Sequence, residues 1–564
     1  MAGSILIGLL AAVVTLLPQI IEKFASKGQG AFFGPNLLVW LQSPSMILGV
    51  TAIAILLQRF YLRQKDGSPT YDGLSDIVIH IHSPEIRDTP ARWTAHGLIS
   101  FLFALCGGTV GMEGAAAEIA HGSAMRVRAR SARWFEQRRR ADASMGISAA
   151  ISAAFRAPFA AILLPLEMGI GGRTLSSVLS ALAALVLGQF ISRELGLDHF
   201  DINGALEGFH FSGWASWASP FVLGGLIALV SIIFIQLVRY SEDSLQDLFQ
   251  IKAWMRLLFA GIFLALVAYL YRPAHAPAWT ILEEIFWSKH TAHETLLIFL
   301  ASSFSLIMVI AGFGTLGIFW PLFALGGMMG FAFNQWAWNA LPGFSVASGC
   351  AGAAAMWGAT LGAPISAVVL VFEITQNQQL LLPCLIAAFT AREVRRFLKV
   401  PTLYQIQLEA RGMKLLDGRS AAVLDKLTVR GAMVSDHEMV HEHEPVSELY
   451  QRVLKSPYAF LPVVNSQGIY LGLLTADIIQ EAYESQDPSQ VLSKLVGAKD
   501  LLYRSGLKVP FVLASDRLSA SAGLFRDFPC VPVVADDRRV VGLLFVHTVR
   551  LAYDREVARR SLSL

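Results

Sequence analysis

Three observations predict a polytopic α-helical membrane protein with an inverted internal repeat of broken helices and an α/β pair of modules at its C-terminal end. The 564 residues are 54% hydrophobic and only 15% charged, and the mean hydropathy is +0.52, outside the range of ordinary soluble domains. A glycine-rich break, Gly107 to Ala115 with Glu113 inside it, recurs as Gly312 to Pro321, so that Gly111 falls on Gly317 and Glu113 on Phe319. At the same spacing of 206 positions, Ala157-Pro158 through Glu167 falls on Ala363-Pro364 through Glu373. A third pattern lies beyond residue 410, where Leu461-Pro462-Val463-Val464 and Gly472-Leu473-Leu474 recur as Val531-Pro532-Val533-Val534 and Gly542-Leu543-Leu544, 70 positions on.

Taken in order, residues from about 4 to 22 and from about 44 to 62 are apolar and long enough to cross a ~30 Å hydrocarbon core. Met1 to Leu17 lacks a basic n-region and a small-residue cleavage site, so the first helix is expected to stay uncleaved. The polar turn Lys65 to Gly73 leads into a short amphipathic segment, Leu74 to His82, and an apolar helix follows Arg92-Trp93. After Glu113, the stretch Ala115 to Ala124 is closed by Arg126 to Arg130 and Arg138 to Arg140, read together as a cytoplasmic loop by the positive-inside rule. Met145 to Met168 is rich in small residues, which suits close helix packing in lipid. Leu175 to Ile191, Pro220 to Leu237, Met255 to Tyr271 and Leu296 to Gly312 are further spans, with loops or interfacial helices over Asp198 to Ser219 and Arg272 to Glu294. Pro321 to Ala340, Ser345 to Trp357, Ala363 to Glu373 and Leu380 to Phe389 fall short of ~20 residues, which predicts half-helices packed inside protein. The expected boundaries are a membrane unit over 1–410 with repeat halves about 40–200 and 250–410, a linker over 411–428, and paired modules over 429–485 and 500–560 within 429–564.

A carboxylate at membrane depth costs roughly 2.5–3.5 kcal/mol on insertion scales, so Glu113 reads as functional. Corresponding glycine and proline breaks in two halves aim helix N-termini at one midplane site, where N–H groups and dipoles attract anions. The net charge of +3 and the lack of a long Lys/Arg stripe argue against a nucleic-acid partner. Cys106, Cys350, Cys384 and Cys530 are too dispersed for a disulfide framework or a zinc pattern. His80-x-His82 gives no complete metal shell, and no nucleophile–base arrangement supports an enzyme.

The motifs together resemble the CLC family of chloride channels and proton-coupled chloride antiporters. Gly111-Met112-Glu113-Gly114-Ala115 resembles its G-x-E-G-P motif and Gly317-Ile318-Phe319-Trp320-Pro321 its G-x-F-x-P motif. Phe372 to Asn377 with Leu382-Pro383 is similar to a later helix, Thr402-Leu403-Tyr404 to the segment with the pore tyrosine, and the terminal repeat to tandem CBS domains. The resemblance implies a homodimer in the plasma or inner membrane with cytoplasmic CBS domains, chloride as the bound ion, and voltage- or pH-gated flux. It implies Glu113 as the gating carboxylate, and an anion site made by Gly111, Ile318, Phe319 and the Tyr404 hydroxyl.

Three departures bear on mechanism. Ungapped alignment puts Asp72 where the family has a chloride-coordinating serine, so Asp72 points away, titrates, or yields its place to Ser75. Met168, beside Glu167, replaces the inner proton-carrying glutamate of the antiporters, which favours passive or weakly coupled flux over obligatory chloride/proton exchange. Glu167 and Glu373 read as helix-end acids satisfied by backbone or arginine. Ala115 and Trp320 alter packing around the filter. Thr475 and Asp477 are one residue closer than the Thr and Asp that hold ribose in nucleotide-binding CBS modules, leaving adenine nucleotide and plain dimerising scaffold as the two readings. A divalent-cation transporter using Asp72, Glu113 and Glu118 is the rival class.

Overall fold

The computed structural model describes residues 2–27, 43–57, 77, 90–106, 110–128, 136–168, 175–195, 202–211, 213–243, 253–287, 290–313, 317–338, 342–410, 427–435, 437–455, 460–475, 511–521, 524–525 and 530–561. The chain divides into two compact units, Met1–Arg411 and Gly412–Leu564.

The first unit is helical. Its first half runs α1 (Ala2–Lys27), α2 (Pro44–Leu57), α3 (Pro90–Leu105), α4 (Met112–Arg128), α5 (Glu136–Phe155), α6 (Pro158–Glu167) and α7 (Leu175–Leu195). The second runs α8 (Gly213–Asp243), α9 (Ala253–Leu270), α10 (Ala278–Phe286), α11 (Ala292–Phe313), α12 (Phe319–Trp338), α13 (Pro342–Thr360), α14 (Pro364–Thr375), α15 (Leu381–Phe397) and the short α16 (Leu403–Ala410). Among the described residues, Ser177–Leu195, Trp217–Ser241 and Ala292–Gly312 are each long and apolar enough to cross a membrane. Large apolar side chains such as Val186, Phe190, Phe221, Ile233, Phe259 and Leu266 lie exposed along α7, α8 and α9, where lipid rather than water suits them.

The repeat is visible in the packing. Helix α4 packs on α3 and α5 as α12 packs on α11 and α13, and α7 packs on α1 and α5 as α15 packs on α8 and α13. The equivalence therefore reaches back to α1, outside the half read as starting near residue 40.

The small-residue stretch Met145 to Met168 falls in two helices, because Arg156 takes a left-handed φ of 55° and Pro158 opens α6; other expectations are corrected. The same event ends α13, at Gly362 with φ 77°, and Pro364 opens α14. Ala157 (φ −121°, ψ 80°) and Ala363 (φ −115°, ψ 65°) adopt nearly one conformation, since a residue before proline is pushed out of the helical region. Arg138 to Arg140 belong to the first turns of α5 rather than to a loop, and Trp214 to Ser219 are the first turns of α8. Helices α12 and α13 are not half-helices. They hold 20 and 19 residues, with Pro321 and Pro342 in first turns where a missing N–H costs nothing.

Among the described residues, the second unit holds two three-stranded sheets. One orders β1 (Val440–His441), β2 (Phe460–Val464) and β3 (Tyr470–Thr475), with α17 (Val446–Lys455) between β1 and β2; the other orders β4 (Val512–Leu513), β5 (Cys530–Val534) and β6 (Val540–Phe545). A short α18 (Leu518–Ser521) lies between β4 and β5, and α19 (Val546–Ser561) follows β6. The two-residue strands β1 and β4 pair in parallel with β2 and β5, and two residues carry no alternation by which the sequence could show them. Registers repeat as well: Phe460 faces Thr475 and Cys530 faces Phe545, with a shift after Val463 and again after Val533. Val434 exchanges both backbone bonds with Leu543, so the stretch before the first copy completes the second.

Candidate functional site

Glu113 sits in the first turn of α4 and is fully buried. Its Oε1 accepts a hydrogen bond from the Trp320 N–H at 2.9 Å, in the first turn of α12, and the Phe319 N–H faces the carboxylate too. First-turn N–H groups have no partner within their own helix, so one carboxylate here answers orphan donors at two helix N-termini, with both dipoles favouring its charge. Trp320, the second residue of α12, donates this bond next to Phe319, which the family resemblance places with Ile318 in the anion site.

The carboxylate folds over Gly111. A Cβ there would meet both carboxylate oxygens at 2.0 Å, so only glycine admits this arrangement. Gly111 N donates to Gly317 O at 2.6 Å, and a Cβ on Gly317 would strike the Gly111 carbonyl oxygen at 1.8 Å. The two glycines that the repeat superimposes thus touch each other, which places the axis relating the halves between them.

Tyr404, in the first turn of α16, is buried and within electrostatic reach of Glu113. Its hydroxyl and Glu113 Oε2 are buried without hydrogen-bond partners among the described residues. The hydroxyl is a donor that a small anion satisfies, and Oε2 is an acceptor that a proton satisfies. Behind them, Trp357 Nε1 donates to Phe319 O at 2.9 Å, and Phe155 stacks on Trp320 at 4.3 Å and meets Trp357 edge-on at 5.6 Å. Trp357 and Phe155 were not singled out in the sequence, where an aromatic in an apolar helix carries no distinguishing signal.

Glu167 and Glu373 are reciprocal caps. Glu167, closing α6, accepts from Ile365 N at 3.1 Å and from Ser366 N and Oγ at 2.7 and 2.6 Å in the first turn of α14. Glu373, near the end of α14, accepts from Phe159 N at 3.0 Å and Ala160 N at 2.8 Å in the first turn of α6. Each acid therefore sits at its partner's positive end, as the reading of helix-end acids satisfied by backbone expects. Met168, the residue after Glu167, is the C-cap of α6.

Glu118, also on α4, is fully buried and bonds His96 Nδ1 through Oε2 at 2.8 Å. Among the described residues no three His, Cys, Asp or Glu side chains converge as a metal site. Asp72, Ser75 and Asp477 lie outside the described residues. Thr475 ends β3 opposite Phe460, and Phe545 holds the matching place in the second copy, where the Thr548 hydroxyl three residues on donates to its carbonyl at 2.9 Å.

The model of the voltage gated chloride channel family matches residues 49–396, more than half of the chain. The chain belongs to that family. A CBS domain model matches residues 429–485. Relatives of this family member include the "H(+)/Cl(-) exchange transporter ClcA" of Yersinia pestis bv. Antiqua (strain Angola), 26% identical over 294 residues, and that of Citrobacter koseri (strain ATCC BAA-895 / CDC 4225-83 / SGSC4696), 28% identical over 286. These matches cover 50% and 49% of this chain, which spans 61% and 60% of the relatives' lengths. A eukaryotic CLC transporter has the same fold, with TM-score 0.58 and 17% identity over 96% of both chains. A slow cyanobacterial Cl-/H+ antiporter aligns with TM-score 0.58 and 19% identity over 73% of this chain and 97% of its own. The chain is thus a CLC-fold integral membrane protein with a C-terminal CBS region.

Proposed function

We propose that this protein carries chloride or a similar small anion across the membrane, with Glu113 as the gate, by exchange with protons. The observation that carries the reading is the Glu113 carboxylate itself, a tethered anion in the first turn of α4 that folds over Gly111 and accepts from the Trp320 N–H at the N-terminus of α12. Protonation removes its charge and its hold on those groups, so the carboxyl leaves and a free anion takes its place, with the Tyr404 hydroxyl as a further donor. Because that step consumes a proton each time the gate opens, anion and proton movement are naturally linked. Exchange is favoured over the passive, channel-like flux that Met168 suggests, since the ClcA relatives are named as H(+)/Cl(-) exchange transporters. With an apolar thioether at 168, the proton route in this chain runs through other groups. The CBS pair is read as a cytoplasmic dimerising scaffold of a homodimer, without a required nucleotide.

The test is chloride efflux from liposomes holding the purified protein, recorded together with external pH. Proton uptake against its own gradient, driven by chloride, is expected. Chloride movement without protons would make this a passive conductor, and no chloride movement would overturn anion transport.

A further inference from the structure

We propose that Glu118 and His96 form a second proton-binding site of the membrane unit, a station that takes up and returns one proton during transport. The inference rests on the exchange reading above.

Helices α3 and α4 approach closely, with a Cβ on Gly97 falling 2.6 Å from Ile119 Cγ1. Trp93, His96 and Ser100 on α3 face Glu118 and His121 on α4. His96 Nδ1 lies 2.8 Å from Glu118 Oε2, Ser100 Oγ donates to the same oxygen at 3.4 Å, and the Trp93 and His121 rings meet edge-on at 4.9 Å. Glu118, His121 and Ser100 are fully buried, His96 is 5% exposed, and Glu118 Oε1 has no hydrogen-bond partner among the described residues. A buried acceptor without a donor costs about 1–3 kcal/mol, and a proton on the carboxyl relieves that cost.

The pair has two states one proton apart. In one, a neutral imidazole donates its Nδ1–H to a carboxylate and the net charge is −1. In the other, an added proton forms an O–H bond on Glu118 or an N–H bond on His96, and the net charge is zero. Among the described side chains, the charged or titratable groups near the pair are few. On α4 itself these are Glu113, His121 and the exposed Arg126; the described side chains of α1, α2, α5 and α12, which pack against the two helices, carry no titratable group near the pair. Glu118 is five residues from Glu113 on the same helix, about 7.5 Å along its axis.

The experiment compares wild type, Glu118→Gln, Glu118→Asp and His96→Gln in chloride-loaded liposomes, with folding checked by size exclusion. Glu118→Gln is expected to retain chloride efflux and lose at least about tenfold of its proton uptake, with Glu118→Asp restoring part of it. An unchanged proton-to-chloride ratio in both Glu118→Gln and His96→Gln overturns the inference and leaves exchange standing. Wild-type chloride flux with no protons overturns it and leaves anion transport standing. Infrared difference spectra between acidic and alkaline buffer read the pair without any flux: a carboxyl C=O band present in wild type and missing in Glu118→Gln is expected, and identical spectra overturn the proposal even if no anion moves.

Discussion

A glycine at position 111 decides where the Glu113 carboxyl rests, since a single methyl group would occupy its space. Gly111→Ala is expected to expel the carboxyl from the helix N-termini, so that flux in liposomes depends less on external pH than in wild type; an unchanged pH profile would mean the carboxyl has another resting place. Glu113 and Gly111 were legible in the sequence because a carboxylate and glycines interrupt an otherwise apolar run. The donor Trp320 was not, because a backbone N–H leaves no trace in residue type. Nor was the His96–Glu118 contact, whose two members are 22 positions apart on different helices. The cysteines are simpler. All four are free and buried, and burial pushes the Cys530 thiol up to about 12, so it stays protonated at neutral pH. Cys530 is expected to resist maleimide labelling in the folded protein and to react after denaturation.

At the scale of elements, α6 and α14 stabilise each other by exchanging acids. Glu167→Gln and Glu373→Gln are each expected to lower stability by about 1 kcal/mol, the worth of a charge at a helix N-terminus, read by thermal unfolding in detergent. Equal losses from the two substitutions would follow from the pseudosymmetry; a loss confined to one would deny it. One offset brings Glu167 onto Glu373 and Pro158 onto Pro364, so the equivalence of the two acids was legible; that each caps the other's helix was not. Helix ends were harder to read. Arg156 occupies the left-handed position that Gly362 holds in the other half, and an arginine gives no warning of a break. Its guanidinium donates to Ser192 Oγ at 2.6 Å, a contact that helps hold the strained residue.

Repetition organises the whole molecule twice, by 206 positions in the membrane unit and by 70 in the C-terminal unit. In the latter, Gly468 at φ 78° and Arg538 at φ 65° fill the same turn position, so Arg538→Gly is expected to cost nothing or to stabilise by up to about 1 kcal/mol in thermal unfolding. The fold class, the two units and the family were legible because periodic breaks survive in sequence; coupling to protons was not, because it depends on which buried groups share a proton. The central claim is that Glu113 is the gate. Chloride flux through Glu113→Gln in liposomes, followed across external pH, tests it most directly. The amide has no charge to be titrated, so flux is predicted to be the same at acidic and alkaline pH, whereas wild-type flux rises as pH falls. A Glu113→Gln protein that kept the wild-type pH dependence would contradict the account.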